Sequence, residues 1–252
     1  MANISIVPLG ATIGARVEGV DFSEPPTDAL RDTILAAIGE YKVLVLKGEP
    51  LPVAVFRAFA RKFGPLQEHV LRKYRHDEFP DLSWLTNVAE DGSFDPFGVV
   101  RASTWHSDGS YTQDPPELGM LHAFEVPSRG GSTIFADMCN AYDTLDADMQ
   151  SRMSGLTGLH RHGAGPGGSM YENALDDDQE EKTNDAVHPT VSVHPSTGRK
   201  MLYLNETHTR KFRELELKES VALLQKVITH ATRPENIYTH HWSVGDLLIW
   251  DQ

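Results

Sequence analysis

A histidine and an aspartate stand two positions apart in STWHSDGSY, residues 103–111. On an extended segment, His106 and Asp108 would point to the same face with their Cα atoms about 6–7 Å apart, so both could reach one metal ion. Two histidines and one carboxylate leave three coordination positions open, which is typical of non-haem Fe(II) oxygenases. The motif alone is weak, because a surface turn would explain it equally well.

Other sequence patterns give little support to zinc binding by the remaining histidines or to nucleophilic catalysis. His160 and His162 form an H-x-H pair of the kind found in zinc sites, but no H-E-x-x-H motif accompanies them. His240 and His241 are neighbours in a candidate strand, so only one of them can face a given side. The sequence contains no G-x-S-x-G motif, and Cys139 falls between a candidate strand and a helix, so nucleophilic catalysis has little support.

The surrounding chain shows many short strands with helices beside them. Turn residues separate the candidate strands, which favours a closed or double-sheet β core. Apolar residues at helical spacing predict the helices. The predicted strands lie within 4–10, 15–22, 42–48, 117–127, 131–138, 188–195, 200–205, 236–242 and 246–250, and the predicted helices within 24–41, 52–63, 141–156 and 217–232.

Residues 160–185 differ from the rest, because a glycine-rich stretch leads into an acidic one with little apolar content. This composition predicts a flexible surface loop or lid. A nucleotide-binding loop is disfavoured, since no Lys-Ser/Thr pair follows the glycines. The remainder indicates a single domain over residues 1–252.

Composition narrows the choice of partners. The chain of 252 residues carries a formal net charge of −13, which disfavours nucleic acid and anionic membrane surfaces. No apolar run approaches the length of about 18 residues that a membrane helix needs. The single cysteine fits a reducing compartment, so we expect a soluble, cytoplasmic protein. A homo-oligomer is plausible.

Five blocks carry a resemblance to a known family. In order, they are GARVEGVDF, ARKFGPL, the stretch from Trp105 to Leu145, HPTVSVHPSTGRKMLYLN and HWSVGDLLIWDQ. Together they cover nearly the whole chain. The sequence resembles the taurine dioxygenase family of Fe(II)- and 2-oxoglutarate-dependent oxygenases, and it is most similar to the dichlorophenoxyacetate dioxygenase branch.

The resemblance implies a fold and a set of site residues. The implied fold is mainly β with flanking helices, a double-stranded β-helix or distorted jelly roll. His106 and Asp108 are implied as metal ligands, and Thr133, in the stretch Gly-Gly-Ser-Thr, as a ligand of the 2-oxoglutarate carboxylate. His69 and Arg72 fall where the family contacts its substrate. No catalytic residue beyond the metal ligands is implied.

The third metal ligand is absent from the blocks that match. The resemblance places it, a histidine, beyond Gln252, together with an arginine for 2-oxoglutarate and the last strands. We expect the natural protein to continue past this residue. A chain that truly stopped here would be a catalytically incomplete binding remnant.

The implied reaction uses Fe(II), O₂ and 2-oxoglutarate. Succinate and CO₂ are released while a small anionic substrate is hydroxylated, and this substrate is aryloxyalkanoate-, sulfonate- or carboxylate-like. Hydroxylation next to an ether oxygen or a sulfonate would cleave the C–O or C–S bond. A zinc-dependent hydrolase built on His106 and Asp108 is the alternative in another enzyme class.

Overall fold

A computed structural model describes residues 4–10, 12–89, 91–171 and 185–252. Within these ranges the chain forms twelve strands and six α-helices. The strands are β1 Ser5–Pro8, β2 Ala15–Glu18, β3 Val43–Leu46, β4 Leu118–His122, β5 Thr133–Ala136, β6 Thr157–His160, β7 Ala186–Pro189, β8 Val191–Val193, β9 Lys200–Leu202, β10 Thr209–Phe212, β11 Ile237–His240 and β12 Leu247–Asp251. The helices are α1 Asp28–Tyr41, α2 Val53–Ala60, α3 Pro96–Val100, α4 Met138–Asp143, α5 Ala147–Ser154 and α6 Leu217–Ala231.

The largest sheet has five strands in the order β1-β2-β3-β12-β4. Strands β2 and β3 run parallel, and the other neighbours are antiparallel. The apolar run of β12 explains its central place, because Leu248 lies opposite both Val45 of β3 and Leu121 of β4. A strand that is buried on both faces needs such a continuous apolar sequence. This sheet thus brings the last residues of the chain beside residues 117–122.

Three smaller sheets complete the β structure of the described residues, with strand orders β10-β6-β7, β11-β5 and β8-β9. A first apolar core lies between the five-stranded sheet and helices α1 and α2. A second core packs α4, α5 and α6 around buried residues of β9 and β10, including Phe212. Trp105, next to His106 in the chain, packs against this second core.

The mainly β architecture with flanking helices is confirmed. The four sheets of the described residues do not form a closed barrel. The helix predicted over 141–156 is wrong in extent, because two helices occupy this region. Asp146 begins the second of them by accepting a 2.7 Å hydrogen bond from the Met149 backbone N–H, which is the role of an N-cap residue. None of the described helices is long and apolar enough to cross a membrane.

The predicted lid over 160–185 is described only in part, since residues 172–184 lie outside the described ranges. Before them, the chain is attached to the segment 206–208. The Gly165 and Gly167 backbone N–H groups donate to the carbonyl oxygens of Thr207 and Glu206, at 2.9 and 2.8 Å. A Cβ atom at Gly165 would lie 2.3 Å from the Glu206 oxygen, so this close approach requires glycine. The lid itself stays a prediction.

Candidate metal and substrate site

His106 and Asp108 converge on one point. The distance from His106 Nε2 to Asp108 Oδ1 is 3.5 Å. Residues 105–107 belong to no strand or helix, and residues 108–111 form a turn. Gly109 permits that turn with a φ of 68°, and a Cβ atom on it would lie 2.5 Å from Pro116 Cδ. The two side chains therefore meet at the start of a turn and outside any strand.

The His106 ring is held in a defined orientation. Its Nδ1 lies 2.7 Å from the Thr104 carbonyl oxygen, which can only accept, so Nδ1 carries the proton. Nε2 is then the ring nitrogen that faces the Asp108 carboxylate and could bind a metal ion. The backbone at this point is fixed from across the chain, because the Trp105 carbonyl accepts hydrogen bonds from both the N–H and the hydroxyl of Thr207. Such outer contacts are typical of metal-binding histidines.

The chemistry of this pair fits a non-haem metal ion. A neutral imidazole nitrogen and a carboxylate oxygen at one point suit Fe(II). Within the described ranges, no group of three His, Cys, Asp or Glu side chains could hold a metal ion. The third ligand expected after Gln252 therefore stays a prediction. His240 and His241 have other partners, Asp246 and Ser132 respectively.

Gln252 fixes the Asp108 carboxylate, a role that the sequence did not reveal. Its Nε2 donates to Asp108 Oδ2 at 3.1 Å, and its Oε1 accepts from the Asp108 backbone N–H at 3.0 Å and from the Ser107 hydroxyl at 3.3 Å. The backbone of Gln252 is held in turn by a 3.1 Å hydrogen bond to the Glu117 carbonyl oxygen. Oδ2 is thus occupied, while Oδ1 faces His106.

Replacing Gln252 with alanine is expected to weaken metal binding about 10- to 100-fold, the usual effect of losing an outer-shell partner of a ligand. Without the amide, the carboxylate can rotate away from His106 Nε2. Titration with Mn²⁺, followed by electron paramagnetic resonance, measures the dissociation constant. Ser107→Ala is the matched control, because it removes only the 3.3 Å contact and should change the constant little. An unchanged constant in Gln252→Ala would show that Asp108 does not need this support.

A wall of neutral rings stands beside the ligand pair. Burial is the main cause that lowers the pKa of His208 well below its usual value, and burial lowers the pKa of His162 to about 4. Their rings stack at a centroid distance of 5.5 Å, and Tyr111 packs edge-on against both rings at 4.9 Å. The His208 ring centroid lies 6.3 Å from that of His106. Both histidines are therefore uncharged at neutral pH.

The H-x-H pair does not form a site of its own. His160 is fully buried, stacks on Tyr203 at 5.8 Å, and neither of its ring nitrogens has a hydrogen-bond partner among the described residues. His162 instead packs against Tyr111 and His208. The two histidines thus occupy different surroundings, and the suggestion of zinc binding by this pair has no support.

The remaining predicted residues border the same cleft as His106 and Asp108. Burial lowers the pKa of His69 to about 4, Arg101 lowers it further, and Asp108 opposes the shift. Arg72 begins a 3-10 turn, Arg72–Tyr74, and its side chain is exposed. Thr133 lies in β5, and its hydroxyl accepts a 2.9 Å hydrogen bond from the Trp242 indole N–H.

An oriented histidine and a restrained aspartate, set in a cleft with neutral aromatic walls, have the chemistry that a mononuclear non-haem metal ion requires of two of its ligands. A profile of the taurine catabolism dioxygenase TauD, TfdA family matches residues 5–252, and the chain belongs to this family. It is accordingly a non-haem iron dioxygenase that uses 2-oxoglutarate as cosubstrate. The hydrolase alternative is set aside by this membership.

Individual relatives agree with the family. Pentalenolactone F synthase of Streptomyces arenae is 30% identical over 266 residues, which cover 99% of this chain and 87% of the relative. The alpha-ketoglutarate-dependent 2,4-dichlorophenoxyacetate dioxygenase of Cupriavidus pinatubonensis is 33% identical over 259 residues, covering 97% and 88%. The crystal structure of AAD-2 in complex with Mn(II) and N-oxalylglycine superposes with a TM-score of 0.85 at 29% identity, covering 99% and 88%.

Proposed function

We propose that this dioxygenase hydroxylates a small organic substrate with an anionic group, of the aryloxyalkanoate, sulfonate or related carboxylate class. The observation that carries the proposal is the pairing of His106 Nε2 with Asp108 Oδ1 at 3.5 Å in an open cleft. A relative that covers 97% of the chain is named for its action on 2,4-dichlorophenoxyacetate, an aryloxyalkanoate. Succinate and CO₂ are the expected coproducts.

His106 and Asp108 would hold the iron ion, and a histidine after Gln252 would be the third ligand. When bound, the metal supplies the oxidative chemistry that couples cosubstrate decarboxylation to substrate hydroxylation. The chain's own residues position the reactants. The Thr104 carbonyl keeps the His106 lone pair directed at the site, and the Gln252 amide keeps one carboxylate oxygen of Asp108 available.

Thr133 would bind a carboxylate of 2-oxoglutarate. Its hydroxyl accepts from Trp242, so the hydroxyl proton is still able to donate to an anion. Tyr111, His162 and His208 would shield the reacting atoms from bulk water, since these rings are packed together and the two histidines are neutral.

The substrate would lie on the side of the cleft that His69 and Arg72 border. His69 is neutral at pH 7, so it would act as a hydrogen-bonding group rather than as a charge. Arg72 would attract an anionic group at the entrance, because its side chain is exposed. If the hydroxylated carbon bears an ether oxygen or a sulfonate, its C–O or C–S bond would then break.

We further propose the double-stranded β-helix as the complete fold, which the TM-score of 0.85 to AAD-2 supports. A single domain and a cytoplasmic location are part of the same proposal. The one cysteine, Cys139, is consistent with a reducing compartment.

A substrate panel tests the proposed activity. Enzyme prepared anaerobically and loaded with Fe(II) is given 2-oxoglutarate and, in turn, phenoxyacetate, hexanesulfonate and hexanoate, while succinate and O₂ uptake are measured. At least one anion is expected to raise succinate formation about tenfold or more over the rate without substrate. Phenoxyethanol and hexanol are the neutral controls. If no anion stimulates turnover, or if the neutral analogues do so equally, the proposed substrate class is wrong.

A further inference from the structure

Arg101 is a buried cation whose hydrogen-bonding capacity is not used up. The residue directly follows α3 and is 9% exposed. Its Nη2 donates to the Trp84 carbonyl oxygen at 2.6 Å, but its Nη1 is enclosed and has no hydrogen-bond partner among the described residues. A guanidinium that has left water without a carboxylate partner is costly, so buried arginines are normally paired.

Aromatic packing holds the Arg101 side chain in place. The guanidinium carbon lies 4.1 Å from the centroid of the Tyr74 ring, a cation–π contact. Tyr74 is itself fixed, because its hydroxyl donates to Asp95 Oδ2 at 2.6 Å. That carboxylate is therefore engaged with Tyr74, and it also pairs with Lys73 at 3.3 Å. Arg101 is thus held in place by aromatic packing, while the Asp95 carboxylate is engaged with Tyr74 and Lys73.

The backbone after Arg101 is strained. Ala102 has a φ of 63°, in the left-handed region that residues other than glycine rarely adopt. Its backbone N–H donates to the Tyr171 hydroxyl at 3.2 Å, which helps to hold this conformation. Strain of this kind concentrates at ligand-binding sites, where the surrounding structure maintains it.

Arg101 belongs to the cleft of the metal ligands. It borders this cleft together with His69, His106 and Asp108. Arg101 also interacts electrostatically with Asp108 and with His69. An anion held by Arg101 would therefore lie in the cleft that His106 and Asp108 also border.

We propose that Arg101 binds the anionic group of the substrate, a carboxylate or sulfonate, and so sets which end of the molecule faces the metal. The inference rests on the proposed function of the same cleft. The anion would accept a hydrogen bond from Nη1 and neutralise the buried guanidinium, and the side chains that cover Nη1 must yield slightly as it enters. Arg72, the arginine suggested by the sequence, is exposed and would only attract the anion electrostatically.

Thermal unfolding in the presence of Mn²⁺ and N-oxalylglycine tests this inference without turnover. Wild type and variants are titrated with phenoxyacetate and hexanesulfonate, beside the neutral phenoxyethanol and hexanol. We expect at least one anion to stabilise the wild type more than its neutral analogue. Arg101→Gln should weaken the apparent affinity for that anion about 100-fold and leave the affinity for the neutral analogue unchanged. Arg152→Gln, an exposed control that does not border the cleft, should change it less than about threefold.

Two results would overturn the inference. One is a wild type that no anion stabilises, and the other is an Arg101→Gln protein that binds the anion as tightly as the wild type. If Arg101→Gln does not fold, Arg101→Lys decides the matter. Lysine keeps the charge but loses the planar fork, so affinity for the anion should fall about tenfold, and an unchanged affinity overturns the assignment. Succinate formation from 2-oxoglutarate without substrate reports separately on the metal and cosubstrate parts of the proposed function.

Discussion

Replacing His106 with alanine is expected to remove metal binding and to lower iron-dependent turnover by at least about 1000-fold, equal to about 4 kcal/mol of activation free energy. His106 Nε2 is the ring nitrogen that faces Asp108 Oδ1, at 3.5 Å. The described residues offer no replacement ligand. The fold should persist, because the ring makes one hydrogen bond, to the Thr104 carbonyl. Equilibrium dialysis against Fe(II) and succinate formation measure the two losses.

Thr133→Ala is the contrasting variant for this experiment. It removes a hydroxyl proposed to contact the cosubstrate but touches neither metal ligand, so metal affinity should be kept while the KM for 2-oxoglutarate rises. Wild-type turnover in His106→Ala would contradict the ligand assignment. Loss of metal binding in both variants would mean that Thr133 acts on the site in another way.

Asp246→Ala is expected to lower the free energy of unfolding by about 2–3 kcal/mol, because a buried histidine loses the charged acceptor of its hydrogen bond. The carboxylate is 1% exposed and accepts from His240 Nε2 at 3.0 Å and from the Ser243 backbone N–H at 2.9 Å. Lys47 Nζ lies 2.6 Å away but is half exposed, so its share is small. Alanine would leave the buried His240 donor without an acceptor. Urea unfolding followed by circular dichroism gives the loss.

Asp246→Asn is the matched control for the carboxylate. Its side-chain oxygen can still accept one of these hydrogen bonds, so the loss should be smaller than in Asp246→Ala. A fall below about 1 kcal/mol in Asp246→Ala would mean that the network contributes little stability. Asparagine keeps an acceptor but loses the charge that pairs with Lys47. The difference between the two variants therefore separates the buried hydrogen bond from this ion pair.

The elements with strong local signals were predictable. Helix α1 begins after Thr27, whose hydroxyl accepts a 3.2 Å hydrogen bond from the Leu30 backbone N–H, and the apolar run 246–250 does form the buried strand β12. The approach of His106 to Asp108 was also predictable, because the two residues lie two positions apart, and their role as metal ligands stays a prediction. These features depend on a few neighbouring residues, and sequence patterns record such neighbours directly.

Features made by distant contacts were not predictable. Gln252 and Asp108 are 144 positions apart in the chain, and the sequence around neither residue predicts their hydrogen bond. Arg101 was not singled out by the sequence, since its burial depends on Tyr74 and on the Trp84 carbonyl from other parts of the chain. The helix predicted over 141–156 shows the opposite problem, because a continuous apolar periodicity concealed a capping aspartate, Asp146.

The placement of Gln252 has a thermodynamic consequence. In the unfolded chain this amide and Asp108 are independent, and β12, between β3 and β4, brings them together. The contact therefore exists only when the sheet has formed, so any metal affinity that it adds would also stabilise the fold when the metal is present. We expect metal binding and formation of the sheet to be thermodynamically linked.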